Sequence, residues 1–406
     1  MKILLLGVGM QGKAALYDLV QKDEVTEIIA ADWDIAALRA HVAERGYACA
    51  EPFGKLKTGG SRSNRKVRCE QVDAADPESL DRLIGPDTDV IVNLLPKDFI
   101  NPVASAALRN GVHMAFTSYI TPELKAMAPE IEAKEIAILP EFGLDPGIDL
   151  VMLGHAVRAL DSVEDIICYG AGFPDADAAD NPIKYKISWT FAGVLKSYRR
   201  PGRIIRDGAA VYIDDSEMFA PENTHLIDIP GIGRLESYPN GDALPYIDLL
   251  GLEQTSLRNI GRYTMRWPGH CAFWKTIVDL HLLDSDPVMV DGTAVNPQHF
   301  MAAAMAPWLQ YADDERDVTI VRVEVKGQKN GKPKHLVYQM VDKRDLETGF
   351  MSMNRTVGFT VSIGALMIGS GQLTKRGLLS PVNDIPFDRF VQALAARNIE
   401  ITVEEL

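Results

Sequence analysis

A glycine-rich turn between an amino-terminal strand and a helix constrains the fold of this chain more than any other sequence feature. Residues Lys2 to Leu6 form a near-continuous apolar run, which is typical of a strand buried on both faces of a parallel sheet. The segment Gly7 to Gly12, GVGMQG, has the pattern G-x-G-x-x-G and begins a helical pattern that runs to Val20. The glycines permit a tight bend, close approach to a pyrophosphate and close packing of helix on strand. The sequence therefore predicts a dinucleotide-binding turn with phosphates at the helix N-terminus.

An acidic residue at the end of the second predicted strand supports this interpretation. Asp32 stands twenty residues beyond Gly12, where a carboxylate accepts hydrogen bonds from the adenosine ribose and repels a 2′-phosphate. We therefore expect NAD as the cofactor, with NADP less favoured. The basic segment Gly54 to Arg68 favours the opposite choice, because its lysines and arginines could reach a 2′-phosphate. We expect it to be an exposed loop whose charges are solvated.

Strand and helix patterns alternate over the amino-terminal third of the chain, which is typical of a doubly wound α/β sheet. The later predicted strands of this sheet are Val25 to Ala31, Val67 to Val72, Asp89 to Leu94, His113 to Thr117 and Ile136 to Leu139.

From about residue 150 the pattern changes to period-two alternation, as in Val318 to Lys326 and His335 to Asp342. Asn330-Gly331 lies between these two runs and predicts a hairpin. We expect an α/β Rossmann domain, a doubly wound parallel sheet, plus a central α+β domain with a mixed or antiparallel sheet. A helix that starts near Thr356 is expected to lead back to the first domain. The predicted boundaries are 1–122 with 356–406 for the dinucleotide-binding domain and 123–355 for the substrate-binding and dimerisation domain.

Charge and composition exclude several classes of partner. The 56 acidic and 42 basic residues give a net charge of −14, so we expect no nucleic acid and no membrane partner. The apolar run from Val357 to Gly371 is about fifteen residues long and too short for a bilayer span. The first ten residues lack an export signal, so we expect a cytoplasmic protein. The four cysteines form no CxxC pair, which indicates reduced thiols and no metal site.

Five further motifs occur in order along the chain, namely Val92 to Pro96, Thr117 to Tyr119, Gly143 to Asp149, Asp180 to Trp189 and Tyr238 to Asn240. This series resembles the glutamate-forming saccharopine dehydrogenases. The segments Arg266 to His270 and Thr374 to Gly377 resemble equally the bacterial lysine 6-dehydrogenases of the same superfamily. The resemblance covers essentially the whole chain.

The resemblance implies a homodimeric amino acid dehydrogenase that oxidises a carbon–nitrogen bond. An amine carbon gives a hydride to the nicotinamide, an imine forms, and water hydrolyses it to an aldehyde and a free amine. Such a site holds the reacting carbon against the nicotinamide and supplies a proton acceptor and cations for the substrate carboxylates.

Three positions depart from the pattern that the resemblance implies. Lys97 stands where such proteins usually carry tyrosine, and Gly170 stands where they carry cysteine, with Cys168 displaced. Gly241 stands where they carry arginine, and the loss of an arginine removes a bidentate carboxylate clamp. Lys97 could supply replacement positive charge.

Several of the candidate site residues follow strand ends, where α/β sheets bind ligands. The predicted catalytic residues are Lys97, Tyr119 and Asp145, although Lys97 could be a surface lysine and Asp145 a helix cap. Arg266 is expected to anchor a carboxylate, with a surface salt bridge as the alternative, while Cys271 is expected to be buried packing. The predicted cofactor-binding residues are Gly7, Gly9, Met10, Gln11, Gly12, Asp32, Asp73, Asn93, Leu94, Leu95, Pro96, Ser118, Asp145 and Pro146, and the predicted substrate residues are Lys97, Tyr119, Trp189, Asn240, Arg266 and His270.

The favoured hypothesis is an NAD-dependent dehydrogenase of the glutamate-forming saccharopine type. One alternative keeps the chemistry but uses lysine, oxidised at its ε-amine, and the glycine at position 241 favours it. A further alternative is a catalytically silent dinucleotide-binding protein, because a fold does not fix a function.

Overall fold

The structure is a computed structural model that describes residues 1–47, 49–50, 67–85 and 87–406. The chain divides into two compact units. Unit 1 comprises Met1–Val151 and Asn354–Asn398, and unit 2 comprises Met152–Met353 and Ile399–Leu406. Residues 54–66 of the basic segment lie outside the described residues.

The described residues form nineteen strands and fourteen α-helices. The strands are β1 Lys2–Leu6, β2 Glu27–Asp32, β3 Cys49–Ala50, β4 Val67–Gln71, β5 Val90–Asn93, β6 His113–Phe116, β7 Ala137–Leu139, β8 Ser162–Pro174, β9 Gly202–Arg206, β10 Ala209–Ile213, β11 His225–Ile229, β12 Gly233–Pro239, β13 Asn259–Arg266, β14 Val288–Val290, β15 Thr293–Val295, β16 Asp317–Lys329, β17 Lys332–Lys343, β18 Gly377–Leu378 and β19 Ile401–Glu405. The α-helices are α1 Met10–Val20, α2 Ile35–Glu44, α3 Pro77–Leu83, α4 Ile100–Asn110, α5 Pro122–Ala126, α6 Ala128–Ala133, α7 Ile148–Arg158, α8 Phe191–Ser197, α9 Pro245–Leu249, α10 His270–Asp279, α11 Pro297–Met305, α12 Ser352–Gly369, α13 Pro381–Asp384 and α14 Phe387–Ala395. In the described part of the chain, no helix combines the length and apolarity needed to cross a membrane.

Unit 1 is built on an eight-stranded sheet with the order β18-β7-β6-β5-β1-β2-β4-β3. Every neighbouring pair in it is parallel. The side chains of Ile3 to Leu6 are fully buried, as expected for a strand covered on both faces. The chain moves from β1 to β2 on one side and returns to β5 on the other, so the strand order reverses at β1. Ligands of such sheets bind at this reversal, outside the carboxyl ends of the strands.

Two features explain the extent of unit 1. Strand β7 pairs with β6 and so extends the sheet past residue 122, where the sequence places the boundary. After the central residues, the chain returns through α12, and a Cβ added at Gly358 would lie 2.6 Å from the Gln11 carbonyl oxygen of α1. The two helices therefore pack with their backbones in close approach. The roles assigned to the two domains stay a prediction.

A buried ion pair ties the returning segment to α1. Asp18 is 3% exposed and accepts hydrogen bonds from Arg397 Nε at 2.8 Å and Arg397 Nη2 at 2.7 Å. The Ser362 hydroxyl of α12 also donates to Asp18. A buried carboxylate with several donors is well satisfied, but it becomes costly when one donor is removed.

Unit 2 is built on a mixed sheet with the order β10-β9-β13-β8-β16-β17-β19. Strand β12 also pairs with β13, and β11 pairs with β12. Strands β13 and β8 are parallel, while β16 pairs antiparallel with both β8 and β17. Asn330 and Gly331 have φ of 52° and 69° in the turn between β16 and β17, as the Asn-Gly pair predicts. The predicted fold class is thus confirmed for both sheets.

We expect Arg397→Met to lower the free energy of unfolding by about 3 kcal/mol or more, because Asp18 stays buried after its main partner is lost. Lys22 Nζ also lies 3.2 Å from Asp18 but is partly solvated, so Lys22→Met is the matched control and costs about 1 kcal/mol or less. Denaturant titration of both variants measures the difference. Equal losses would refute a structural role for the Arg397 pair.

Candidate functional site

The three glycines of the amino-terminal turn serve different purposes in the structure. Gly7 has φ of +85°, and a Cβ added there would lie 2.8 Å from the Leu94 carbonyl carbon. A Cβ added at Gly12 would lie 2.0 Å from the Gly7 oxygen. A Cβ added at Gly9 meets nothing within 4 Å. Gly7 and Gly12 are therefore needed for packing, whereas Gly9 leaves open space for a ligand.

Helix α1 starts directly beyond this open position. Gly9 is its N-cap and has no side chain with which to cap the helix, and its carbonyl accepts from Lys13 N at 2.9 Å. The first-turn N–H groups of a helix point outward and carry partial positive charge. This arrangement suits a phosphate group.

Asp32 holds the turn as well as facing the ligand edge. Its Oδ2 accepts from Val8 N in the glycine-rich turn at 2.6 Å, and its Oδ1 accepts from Asp34 N at 3.0 Å. Each carboxylate oxygen therefore already accepts one backbone hydrogen bond. Asp32 orders the turn whether or not a ribose is bound.

Three other predicted cofactor residues lie at the same edge, following β4 and β5. Asn93 is buried, and its Oδ1 accepts from Leu95 N at 3.1 Å, which fixes the path of the chain beside Gly7. Pro96 is exposed. Asp73 is exposed after β4, where its Oδ1 accepts from Ala75 N at 2.9 Å. Because these strands are parallel, their carboxyl ends meet at one edge with the glycine-rich turn.

The predicted catalytic residues Lys97, Tyr119 and Asp145 all belong to unit 1. Lys97 is exposed and begins a short 3₁₀ helix after β5, and Tyr119 is 44% exposed after β6. Asp145 is half-buried in the loop after β7 and precedes Pro146 through a cis peptide bond.

Backbone contacts link the loops that follow β6 and β7. Glu141 N donates to the Ser118 carbonyl at 3.1 Å, and Phe142 N donates to the carbonyl of Phe116, the last residue of β6, at 2.9 Å. A Cβ added at Gly143 would lie 3.2 Å from Thr117 Cβ. The two motifs are thus neighbours at this edge.

The predicted substrate residue Arg266 ends β13 in unit 2 and is 7% exposed, so it is not a surface salt bridge. Its Cζ lies 5.4 Å from the Tyr185 ring centroid, and its Nη1 donates to the Met265 carbonyl at 2.8 Å. Within the described residues, Arg266 Nε has no hydrogen-bond partner and no carboxylate pairs with the guanidinium. Arg266 is therefore a buried charge held among aromatic rings.

His270 lies in the same aromatic cluster, as the first residue of α10. Its Nε2 is 3.0 Å from the Tyr198 hydroxyl, and its ring stacks on Tyr238 with centroids 5.7 Å apart. Burial, and next the charge of Arg266, hold the pKa of His270 well below its usual value. Burial raises the pKa of Tyr238 to about 12. His270 is therefore a neutral ring near Arg266 and can serve as a hydrogen-bonding group.

The remaining predicted residues of unit 2 differ in exposure. Trp189 is 40% exposed, and Asn240 is half-buried with its N donating to the Arg262 carbonyl at 2.8 Å. Cys271 is 5% exposed, and burial raises the pKa of its thiol, so it is a packed thiol.

Comparisons with known proteins identify the family. Residues 3–139 match the saccharopine dehydrogenase NADP binding domain, and residues 143–399 match the saccharopine dehydrogenase C-terminal domain. The chain belongs to the saccharopine dehydrogenase family. The predictions of the family and of an amino acid oxidoreductase are thus confirmed.

Two relatives and one solved structure show how far the similarity extends. Saccharopine dehydrogenase [NADP(+), L-glutamate-forming] of Saccharomyces cerevisiae is 24% identical over 93% of this chain and 93% of its own length. The mitochondrial alpha-aminoadipic semialdehyde synthase of Bos taurus is 24% identical over 78% of this chain but only 40% of its own length. A solved structure of saccharopine dehydrogenase (L-Glu forming) from Saccharomyces cerevisiae has a TM-score of 0.85 at 22% identity, covering 100% of this chain and 99% of that one. The solved structure supports the fold.

The expected preference for NAD is not confirmed. The family model is described as NADP binding, and the yeast relative is named for NADP(+). The physical reason lies in Asp32, whose two oxygens accept backbone N–H groups. An acidic residue at this position is explained by the order of the turn and does not decide between the two nucleotides.

Sequence reasoning missed Arg200, which lies against Gly241. A Cβ added at Gly241 would lie 3.2 Å from Arg200 Cδ and 3.6 Å from its Nη1. Gly241 has φ of +72°, a conformation that favours glycine. A guanidinium therefore lies beside position 241, contributed by a residue 41 positions earlier. No spacing in the sequence signals this contact.

We expect Gly9→Val to weaken dinucleotide binding while leaving the fold intact. Gly9 has φ of −72°, which any residue adopts, and its Cβ position is free of neighbours. The added side chain fills the space needed for a pyrophosphate, so the Kd for NADPH should rise at least tenfold, which is about 1.4 kcal/mol. Fluorescence titration with NADPH measures this.

Gly12→Ala is the contrasting variant, because its Cβ would lie 2.0 Å from a backbone oxygen. It should lower the Tm, whereas Gly9→Val should not. Unchanged NADPH affinity in a folded Gly9→Val protein would rule out binding at this turn.

Proposed function

We propose that this chain is an NADP-dependent saccharopine dehydrogenase of the L-glutamate-forming type. It oxidises the CH–NH bond of saccharopine, and the resulting imine is hydrolysed to L-glutamate and an aldehyde. The bound nucleotide would accept the hydride, held by the glycine-rich turn from Gly7 to Gly12 and by the N-terminus of α1. Family membership over nearly the whole chain supports this proposal.

The observation that carries the substrate assignment is the buried guanidinium of Arg266. Burying a charge that lacks an opposite charge is costly, and a ligand carboxylate removes that cost. Arg266 is 7% exposed, and in the described part of the chain it lies among tyrosines, the neutral His270 and the Met265 carbonyl, with no carboxylate paired to it. A planar guanidinium binds a carboxylate through two parallel hydrogen bonds. Arg266 would therefore hold one substrate carboxylate.

Arg200 supports a substrate with more than one carboxylate. It is exposed beside Gly241, and no ion pair of Arg200 occurs among the described residues. Saccharopine joins glutamate to lysine through a secondary amine and carries several carboxylates, whereas lysine carries one. Two separate guanidinium groups therefore favour saccharopine.

The proton acceptor is proposed among the residues at the sheet edge of unit 1. Lys97 stands directly after the β5 motif, at the carboxyl end where ligands bind. Tyr119 and Asp145 follow β6 and β7 at the same edge. Lys97 would either take the amine proton or hold a substrate carboxylate, with Tyr119 and Asp145 contributing hydrogen bonds.

A second candidate is an L-lysine 6-dehydrogenase. The glycine at position 241 favours this candidate, because the arginine that would bind a further substrate carboxylate is missing there and lysine has only one carboxylate. NAD stays a second candidate cofactor, because a carboxylate that orders the turn, as Asp32 does, is compatible with either nucleotide.

An NADPH- and NADH-formation assay at alkaline pH tests these candidates together. The protein is given saccharopine or lysine, each with NADP or NAD. We expect saccharopine with NADP to give the highest kcat/KM. Lysine turnover above saccharopine turnover would establish the second candidate. Nucleotide binding without turnover of either amine would instead support a binding protein that lacks this activity.

We expect Arg200→Met to raise the KM for saccharopine at least tenfold, because one charged carboxylate contact is lost, about 1.4 kcal/mol. The KM for NADP should not change. Arg234→Met is the matched control, since Arg234 is an exposed arginine of the same unit that pairs with Asp228 at 3.1 Å. Equal KM values for the two variants would remove Arg200 from the substrate site.

We expect Lys97→Met to lower kcat/KM more than tenfold, about 1.4 kcal/mol. The pH profile separates the two roles: loss of a proton acceptor changes the profile of kcat, while loss of a carboxylate contact raises KM alone. Lys125→Met, another exposed lysine of unit 1, is the control. Wild-type kinetics for Lys97→Met would discard both roles.

A further inference from the structure

A cavity of about 240 Å³ lies in the sheet of unit 2 and plays no part in the proposed reaction. Its lining comes from four neighbouring strands, β9, β13, β8 and β16, and from the residue before β13. Ile167 and the ring of Tyr263, which are both half-buried, contribute apolar surface. Arg206, Arg258 and Lys326 contribute positive charge.

The two acidic residues of this cavity already have protein partners. Asp165 Oδ1 accepts from Asn259 Nδ2 at 2.7 Å. Glu324 Oε1 accepts from Arg322 Nε at 2.7 Å, and its Oε2 lies 3.0 Å from His335 Nε2. The charge of Glu324 is therefore paired with Arg322, while Asp165 has a neutral amide as its partner.

The cations of the cavity are much less engaged. Arg206 Nη2 has a long contact of 3.5 Å to Asn223 Oδ1, and Arg258 Nε lies 3.7 Å from the exposed Asp207. No hydrogen bond or ion pair of Lys326 Nζ occurs in the described part of the chain. Burial, and next the charge of Arg206, lower the pKa of His225, so the positive potential of Arg206 extends along this face. The cavity thus offers positive charge beside apolar surface.

The cavity is separated from the proposed substrate residue Arg266 by the sheet itself. Asn259 and Tyr263 of β13 line the cavity, and Arg266 ends the same strand. Successive side chains of a strand point to opposite faces, so Tyr263 and Arg266, three positions apart, lie on opposite faces of the sheet. A ligand in the cavity cannot touch Arg266.

We propose that this cavity binds a small aliphatic carboxylate, with Arg206 and Lys326 as its anionic contacts. A cavity of about 240 Å³ accommodates a short carbon chain. Ile167 and the ring of Tyr263 contact that chain, and the carboxylate pairs with Arg206 and Lys326, which have no carboxylate partner of their own in the described chain. An inorganic anion would use the cations alone and leave the apolar surface unused.

Equilibrium dialysis of radiolabelled glutarate against the full-length protein tests the proposal. The variant R206Q/K326Q removes the two anionic contacts. The control R234Q/K329Q removes two cations of the same unit that pair with Asp228 and Asp161, away from the cavity lining. We expect wild type and control to bind glutarate at one more site than R206Q/K326Q, or at least tenfold more tightly there.

Four results would overturn the proposal. The first is that wild type binds no glutarate up to about 10 mM, a concentration well above the Kd of ~1 mM expected for a weak site. The second is equal glutarate binding by both variants, and the third is displacement of glutarate by an equimolar amount of inorganic phosphate. The fourth is that R206Q/K326Q forms a smaller assembly in sedimentation velocity while no protein binds glutarate. The last result would make this face a contact between copies of the chain. The proposal does not rest on the dehydrogenase assignment, because activity with saccharopine is measured separately.

Discussion

The close approach of two backbones at Gly7 is the constraint on which the candidate cofactor site depends. An added Cβ at Gly7 would lie 2.8 Å from Leu94, so only glycine lets β1 turn beside the chain that leaves β5. That approach brings the Asn93 to Pro96 motif against the turn and leaves Gly9 facing open space. Asp32 then fixes the turn through Val8 N. Because β1 is where the strand order reverses, these contacts lie at the ligand edge of the sheet.

Much of unit 1 could be predicted from the sequence, because apolar runs that are buried on both faces leave a strong pattern. The hairpin between β16 and β17 was predictable for a different reason, since Asn330 and Gly331 both adopt positive φ. Strands β18 and β19 could not be found this way. They are two and five residues long and pair with β7 and β17, which lie far away in sequence. Arg200 was missed for the same reason, because only tertiary structure brings it to Gly241.

The expected cofactor shows the limit of a local rule. Asp32 stands at the end of β2, where an acidic residue is associated with ribose binding and with NAD. The structure gives that carboxylate another function, because Val8 N and Asp34 N both donate to it. One residue type at one position thus satisfies either requirement. The choice between NAD and NADP depends on the charges around a 2′-phosphate. Five of the six cations of the basic segment lie in residues 54–66, which are outside the described chain, and the sixth is Arg68.

Two buried arginines show how partner groups separate a structural charge from a functional one. Arg397 pairs with Asp18 through two hydrogen bonds, so the folded chain already compensates both charges. The side chain of Arg397 is 8% exposed and Arg266 is 7% exposed, but within the described residues Arg266 lies among tyrosines, His270 and a backbone carbonyl instead of against a carboxylate. The Tyr185 ring that lies against the guanidinium offsets part of the cost of burying the cation, on the order of 2 kcal/mol. The remaining cost is removed when a carboxylate binds to Arg266. The buried charge that destabilises the ligand-free protein is therefore the same charge that favours binding of a carboxylate substrate.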